Sequence, residues 1–214
     1  MLLRSLYRIA GIAFVLSGAS LSHAAVVYDE SVSSDLSNDG LAPTSVSIAA
    51  GSNQILGTSG DPGTGVDRDY FTVTIPTGFA LAQLVLLPGT TIVGAVSFLG
   101  LESGNQVTLD ANAFSAAGLL GWTHYSSADI ATDLLPAMSI PRSRSDGFQV
   151  PLGAGSYAFW VQEFDVGTAN YGLDLKVVAI PEPSSMAMML AALAIAAGGL
   201  RRRKDGRSRA GDRA

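Results

Sequence analysis

The sequence contains no cysteine among its 214 residues, which excludes a disulfide framework, a thiolate metal site and a cysteine nucleophile. Histidine is almost absent as well, since His124 is the only one beyond the first 24 residues. A Ser-His-Asp triad would need this histidine at its centre, and a metal site would need carboxylates for its other ligands. The chain also lacks a glycine-rich loop followed by a lysine, which would bind phosphate. We therefore expect a protein without enzymatic activity.

Basic residues are scarce in most of the chain. Residues 25–179, which we call the body, contain 4 Lys and Arg against 15 Asp and Glu, whereas both ends of the chain are net positive. A body with this excess of negative charge is repelled by phosphate backbones. Nucleic acid is therefore not an expected partner.

The first 24 residues have the three parts of a secretory signal peptide. Two arginines precede an apolar run at residues 9–16, and the small residues that signal peptidase requires follow at positions 22 and 24. We expect export through the Sec translocon and cleavage by signal peptidase between Ala24 and Ala25. A first membrane anchor is the alternative, but the apolar run is shorter than the roughly 20 residues that a span needs.

The C-terminal region combines a proline-rich start, an uncharged segment and a basic end. The uncharged segment covers residues 184–200, about 25 Å as a helix, which is the lower limit for crossing a bilayer. The basic residues after it would remain cytoplasmic, so the body would lie on the outer side of the inner membrane. Residues 205–214 form a further basic tail.

This arrangement closely resembles the PEP-CTERM sorting signal of Gram-negative bacteria. The residues that match the Pro-Glu-Pro motif and the arginine stop are Pro181, Glu182, Pro183, Arg201, Arg202 and Arg203. The resemblance implies that an exosortase, a membrane-embedded cysteine peptidase, removes the tail and releases the protein or transfers it to the surface. Residues 180–204 are then the sorting signal, and a permanent single-pass anchor is the alternative.

The body has the alternation of apolar and polar residues that is typical of half-buried strands. Phe71, Val73 and Ile75 share one face of such a strand, and Tyr157 and Phe159 share a face of another. The pattern predicts an all-β fold, an antiparallel, jelly-roll-like β-sandwich flanked by the signal peptide and the C-terminal hydrophobic helix. The predicted strands are residues 45–49, 54–58, 69–75, 81–87, 94–101, 106–109, 148–152, 156–163 and 170–178.

Two segments of the body carry a further resemblance. Residues 66–78, and residues 151–161 followed by 171–175, resemble the opening and closing strands of the bacterial pre-peptidase C-terminal domain. The resemblance implies a small jelly-roll sandwich that serves binding, secretion or solubility and is not catalytic. Residues 100–147 depart from the family's pattern, because they contain an insertion with a tryptophan.

Acidic residues cluster in two of the predicted loops. Asp61, Asp67 and Asp69 precede one strand, and Glu163 and Asp165 end another. Because Ca²⁺ prefers hard oxygen ligands, these carboxylates would form a calcium site if the two loops meet. The alternative is that they are solvated side chains that keep an exported protein soluble. Ca²⁺ is the one cofactor that the sequence suggests.

Three functional classes remain open. The first is a non-enzymatic cell-surface or extracellular-matrix protein that is processed by an exosortase and associated with exopolysaccharide. The second is a module that binds carbohydrate or another ligand by stacking it on Trp122, Tyr125 or Trp160. The third is a hydrolase with a carboxylate pair that no spacing singles out. We expect the first class, with the protein in the inner membrane before processing and at the cell surface or outside the cell afterwards.

Overall fold

The structure, a computed structural model, describes residues 24–63 and 65–181. Several predicted features lie outside these ranges: the leader up to residue 23, the membrane segment 184–200, the tail 205–214, and Glu182, Pro183, Arg201, Arg202 and Arg203 of the sorting signal. Among the helices of the described ranges, none is long and apolar enough to cross a bilayer.

Nine strands and two short helices make up the described part of the chain. The strands are β1 (Ala25–Asp29), β2 (Thr44–Ser45), β3 (Gly51–Asp61), β4 (Arg68–Ile75), β5 (Phe79–Leu86), β6 (Ser97–Ser103), β7 (Gly121–Tyr125), β8 (Gly155–Glu163) and β9 (Gly167–Ala179). The helices are a 3-10 turn at Ser127–Asp129 and α1 at Leu135–Met138.

The strands form two sheets, one of four strands in the order β1-β3-β9-β5 and one of five in the order β2-β4-β8-β6-β7. The prediction of an all-β sandwich is confirmed. Most strand pairs are antiparallel, as predicted, but β1 pairs parallel with β3 and β2 pairs parallel with β4. Parallel neighbours need a long connection, and the 21 residues from Glu30 to Ala50 provide one between β1 and β3.

The core lies between the sheets and is built from alternate residues of each strand. In β4, Phe71, Val73 and Ile75 point inward, as their spacing predicts. Phe71 stands opposite Phe159 of β8, and their rings stack with centroids 5.0 Å apart. Both rings are fully buried, and burial of a side chain of this size contributes about 1.5–3 kcal/mol to folding.

The outer face of the five-stranded sheet is covered as well. Tyr70 and Trp160 point outward from β4 and β8, and they form a second apolar cluster with Phe98, Val107 and Leu119. The segment between β6 and β7 supplies the last two of these residues. The stretch that departs from the pre-peptidase pattern therefore includes the layer that covers the sheet.

Six of the predicted strands correspond to β3, β4, β5, β6, β8 and β9. Residues 106–109 and 148–152 are predicted as strands but form irregular segments. Their apolar alternation reflects packing on the sheets, since Val107 is buried in the outer cluster and Leu152 makes only a single bridge to Leu81. The predicted strand at residues 45–49 overlaps β2 only at Ser45, and the pattern missed the short strands β1 and β7.

Candidate cation site and aromatic cleft

Four acidic side chains meet at one end of the sandwich interior, and we call them the acidic cluster: Glu30, Asp35, Asp67 and Asp69. Glu30 follows β1, and Asp35 lies in the segment after it. Asp69 is the second residue of β4 and points inward because it alternates with Phe71. Carboxylate oxygens of Glu30, Asp35 and Asp69 lie within 4.8 Å of one another.

The oxygens at the centre of the acidic cluster lack hydrogen-bond partners. Asp69 is fully buried, and neither of its carboxylate oxygens has a partner among the described residues; Asp67 Oδ1 is in the same situation. The Tyr171 hydroxyl from β9 lies beside Asp69 and is likewise buried without a well-formed hydrogen bond. Unpaired buried polar groups are costly, so this arrangement needs a partner that the described residues do not supply.

Local contacts hold the acidic cluster in place. Glu30 Oε1 accepts a hydrogen bond from the Leu36 amide at 3.0 Å, and Oε2 accepts one from the Thr58 amide at 2.7 Å. These bonds tie the segment after β1 to β3. Gly57 leaves room for Tyr171, because a Cβ at position 57 would lie 2.5 Å from the tyrosine hydroxyl.

The electrostatics of the acidic cluster are uncompensated. Burial is the main cause that raises the pKa of Asp69 to about 9, and the negative charge of Glu30 is the next. Burial also raises the pKa of Asp67 to about 6, and it raises the pKa of Glu30. The charges that raise the pKa values of these three acids are those of Glu30, Asp35 and Asp67, all of them negative. The site therefore favours a bound positive charge, either protons or a metal ion.

The five predicted calcium ligands do not lie together in the structure. The loops that follow β3 and β8 do meet, through a backbone bridge between Asp61 and Val166. The Asp61 carboxylate, however, accepts from the Gly63 amide at 2.9 Å, and the buried Glu163 carboxylate accepts from Ser97 Oγ at 2.7 Å. Asp165 is exposed and stands against Gly94.

Asp67 and Asp69 are thus the two predicted ligands that lie in the acidic cluster. Sequence reasoning missed Glu30, Asp35 and Tyr171. Glu30 and Asp35 lie more than 30 positions before Asp69, and Tyr171 lies about 100 positions after it. No spacing along the chain links these three elements, so the sequence carried no signal for this set.

A cleft of about 200 Å³ opens on the outer face of the five-stranded sheet. Phe114, Trp122, His124 and Phe164 are among the side chains that line it. Phe114 is fully exposed, and Phe164 is 53% exposed. Burial lowers the pKa of His124, and the positive charge of Arg142 lowers it further, so its imidazole is neutral at pH 7. The cleft therefore presents aromatic rings to solvent without a positive charge on the histidine.

The three predicted stacking residues differ in their access to this cleft. Trp122 lines it and is partly exposed, with Arg142 5.5 Å over its ring. Trp160 points to the same face but is only 5% exposed under Tyr70 and Phe98. Tyr125 points into the core and is 2% exposed, so a ligand cannot reach its ring. Tyr125 fails as a stacking residue because β7 directs alternate side chains inward.

Comparison with known proteins matches the end of the chain. Residues 179–204 match the family model of the PEP-CTERM protein-sorting motif. No match is found among curated proteins. The match does not extend into residues 25–178, so the resemblance of the body to the pre-peptidase C-terminal domain stays a prediction. The motif marks the chain as an exported protein whose processing partner is an exosortase.

Proposed function

We propose that this protein is a non-enzymatic component of the cell surface or extracellular matrix that associates with exopolysaccharide after exosortase processing. The observation that carries the proposal is the position of the sorting motif relative to the fold. Strand β9 ends at Ala179, and the Ile180 amide donates to the Gly78 carbonyl at 2.7 Å, directly before Pro181. Removal of the chain beyond Pro183 would therefore leave every strand of the sandwich intact.

The geometry of the described residues supports a non-enzymatic role. Asp69 is fully buried, so its carboxylate cannot act on a glycosidic bond in an open cleft as a glycosidase requires. His124 is surrounded by the rings of Phe98, Trp122 and Phe164, rather than by a hydroxyl and a carboxylate in triad geometry. The hydrolase alternative is thus the weakest of the three functional classes.

The aromatic cleft favours direct binding of carbohydrate as a second candidate function. Exposed rings on a sandwich face offer stacking surfaces for sugar rings, and a cleft of about 200 Å³ has room for one of them. On this proposal Trp122 and Phe114 contact the polysaccharide, while Trp160 supports the cleft from below.

The carbohydrate proposal predicts that Phe114→Ala and Trp122→Ala weaken binding to the cell's own exopolysaccharide about tenfold or more, equivalent to about 1.4 kcal/mol. Phe114 is fully exposed, so its loss should leave the thermal midpoint unchanged. The matched control is Val32→Ala, at a side chain that is 82% exposed and does not line the cleft. Affinity electrophoresis in gels that contain the polysaccharide measures the effect. If all the variants are retarded as strongly as the wild-type protein, the cleft is excluded as the binding site for the polysaccharide.

We further propose that the acidic cluster binds Ca²⁺. Buried oxygens without partners, an excess of negative charge and the absence of nitrogen and sulfur ligands in the cluster are what a hard cation with several oxygen ligands requires. Exposed Asp35 would leave one side open for water and for entry of the ion. Bound Ca²⁺ would join the segment after β1 to β4, as a stabilising ion for an exported domain. Extracellular modules bind Ca²⁺ with Kd values of about 10⁻⁴–10⁻³ M.

A further inference from the structure

Four backbone segments at one end of the sandwich contain almost no charged residues. Backbone pairing brings four segments together there: Gly51 pairs with Val177, Ile75 with Gly155, and Phe79 with Ala179. The segments are residues 49–52, 74–80, 148–156 and 176–181. They contain no Asp or Glu, and Lys176 is their only charged residue, although the body as a whole carries 15 acidic residues. We call this the tail-proximal end, because the chain leaves it toward the sorting signal.

Several acidic residues lie toward the opposite end. Strand β3 runs from Gly51 at the tail-proximal end to Asp61 at the other, a distance of about 33 Å for a strand of its length. Asp61 lies there together with the acidic cluster and Glu163. Six of the 15 acidic residues of the body therefore lie toward the end remote from the sorting signal, and none lies in the four segments next to it.

The chain outside the described residues limits how far this end can lie from a bilayer. The uncharged segment of the sorting signal continues from Met186, seven residues after the last residue of β9. Seven residues span at most about 25 Å when fully extended. While the tail is attached, the tail-proximal end thus stays close to the membrane surface, and it is the end from which the tether leaves.

The exposed side chains of this end suit an interface with lipid. Val150, Val178 and Ile180 are 40%, 45% and 46% exposed. Apolar side chains with a lysine and no carboxylates can approach anionic headgroups, whereas the acidic end is repelled by them. We propose that the tail-proximal end rests on the lipid headgroups of the inner membrane before processing, which holds the sandwich upright with its acidic end outward. This inference rests on the proposed membrane-attached precursor.

Single cysteines test the proposal cleanly, because the chain has none of its own. The precursor without its leader, residues 25–214, is reconstituted in phosphatidylethanolamine–phosphatidylglycerol vesicles and labelled with an environment-sensitive fluorophore at Val150→Cys. The control is Val66→Cys, since Val66 is 41% exposed against 40% for Val150 but lies next to Asp67 at the acidic end. A third label, at Gly198→Cys, reports insertion of the tail. Lipids with spin-labelled headgroups quench a fluorophore that lies at the membrane surface.

We expect quenching at position 150 to exceed that at position 66 severalfold, with the tail label quenched by acyl-chain spin labels. Equal quenching at the two positions would overturn the proposal while leaving the membrane-attached precursor intact. The same measurement is repeated with the exosortase in the vesicles. Loss of quenching at position 150 under that condition would overturn the proposal, because it would assign this surface to the peptidase instead of lipid. A tail label that escapes quenching would overturn the membrane-attached precursor itself, and the orientation with it.

Discussion

Asp69→Asn is expected to abolish the stabilisation of this protein by Ca²⁺ and to stabilise the metal-free protein. For the wild-type chain, Ca²⁺ at about 100 times its Kd should raise the free energy of unfolding by about 2.7 kcal/mol. For a domain of this size that corresponds to a rise in Tm of roughly 5–10 °C. The asparagine variant should lose this rise, because it removes the carboxylate at the centre of the acidic cluster.

The gain in the metal-free state has a separate cause. Both Asp69 oxygens are buried without partners beside Glu30 and Asp67. An asparagine of nearly the same shape removes the acidic group and adds an amide that can donate to the neighbouring carboxylates. We expect the metal-free variant to gain about 1–3 kcal/mol in its free energy of unfolding. Relative to the wild-type protein, the variant should thus be more stable without Ca²⁺ and should gain no stability when Ca²⁺ is added.

Thermal unfolding of the full chain with EDTA, Mg²⁺ or Ca²⁺ measures both effects. Asp61→Asn is the matched control: Asp61 belongs to the ligand set expected from the sequence, but its carboxylate binds the Gly63 amide outside the acidic cluster. Asp61→Asn should keep the full Ca²⁺ response. A wild-type Tm that does not respond to Ca²⁺, or a response that survives Asp69→Asn and disappears in Asp61→Asn, would contradict the proposed site.

Replacement of the Pro-Glu-Pro motif is expected to prevent release of the protein almost completely. In a Glu182→Ala, Pro183→Ala double variant, the chain should keep its tail and remain in the membrane fraction, because the peptidase is expected to recognise an extended segment that the prolines favour. The fold should be unaffected, since β9 ends at Ala179 before the motif. Immunoblots with an antibody against the body measure the ratio of released protein to protein in the membrane fraction.

Ser184→Ala is the control for this experiment, because it lies directly after the motif and preserves all three of its residues. We expect wild-type release from it. Equal Tm values for the control and the double variant would exclude a folding defect as the cause of retention. Normal release of the double variant would contradict the assignment of the motif as the recognition element.

The strands of the fold could be predicted where one face is buried and the other is not. In β4, the alternation of threonines with Phe71, Val73 and Ile75 identified both the strand and its inward face. β7 was missed because it has only five residues, too few for an alternating pattern to stand out. The parallel pairing of β1 with β3 and of β2 with β4 was missed, because the pairing of segments that are distant in the sequence leaves no local pattern.

The candidate sites were predictable only in part, for the same reason. The sequence singled out Asp67 and Asp69 as neighbours, but Glu30 comes from the turn after β1 and Tyr171 from β9, two distant parts of the chain that the fold brings together. Trp122 and Trp160 were selected for their residue type, and their exposure differs because the segment between β6 and β7 covers Trp160 and leaves Trp122 at the edge of the cleft. Tyr125 shows that residue type alone does not decide which face a side chain occupies.

The central claim is that the body is exported and then separated from its tail. Intact-mass measurement with C-terminal peptide mapping, applied to the wild-type protein from the native cell's membrane and extracellular fractions, tests it most directly. We predict a chain that begins at Ala25, ends near Pro183 and is found outside the inner membrane. A chain that keeps Arg201 to Ala214 and stays in the inner membrane would contradict this account and identify a tethered periplasmic domain.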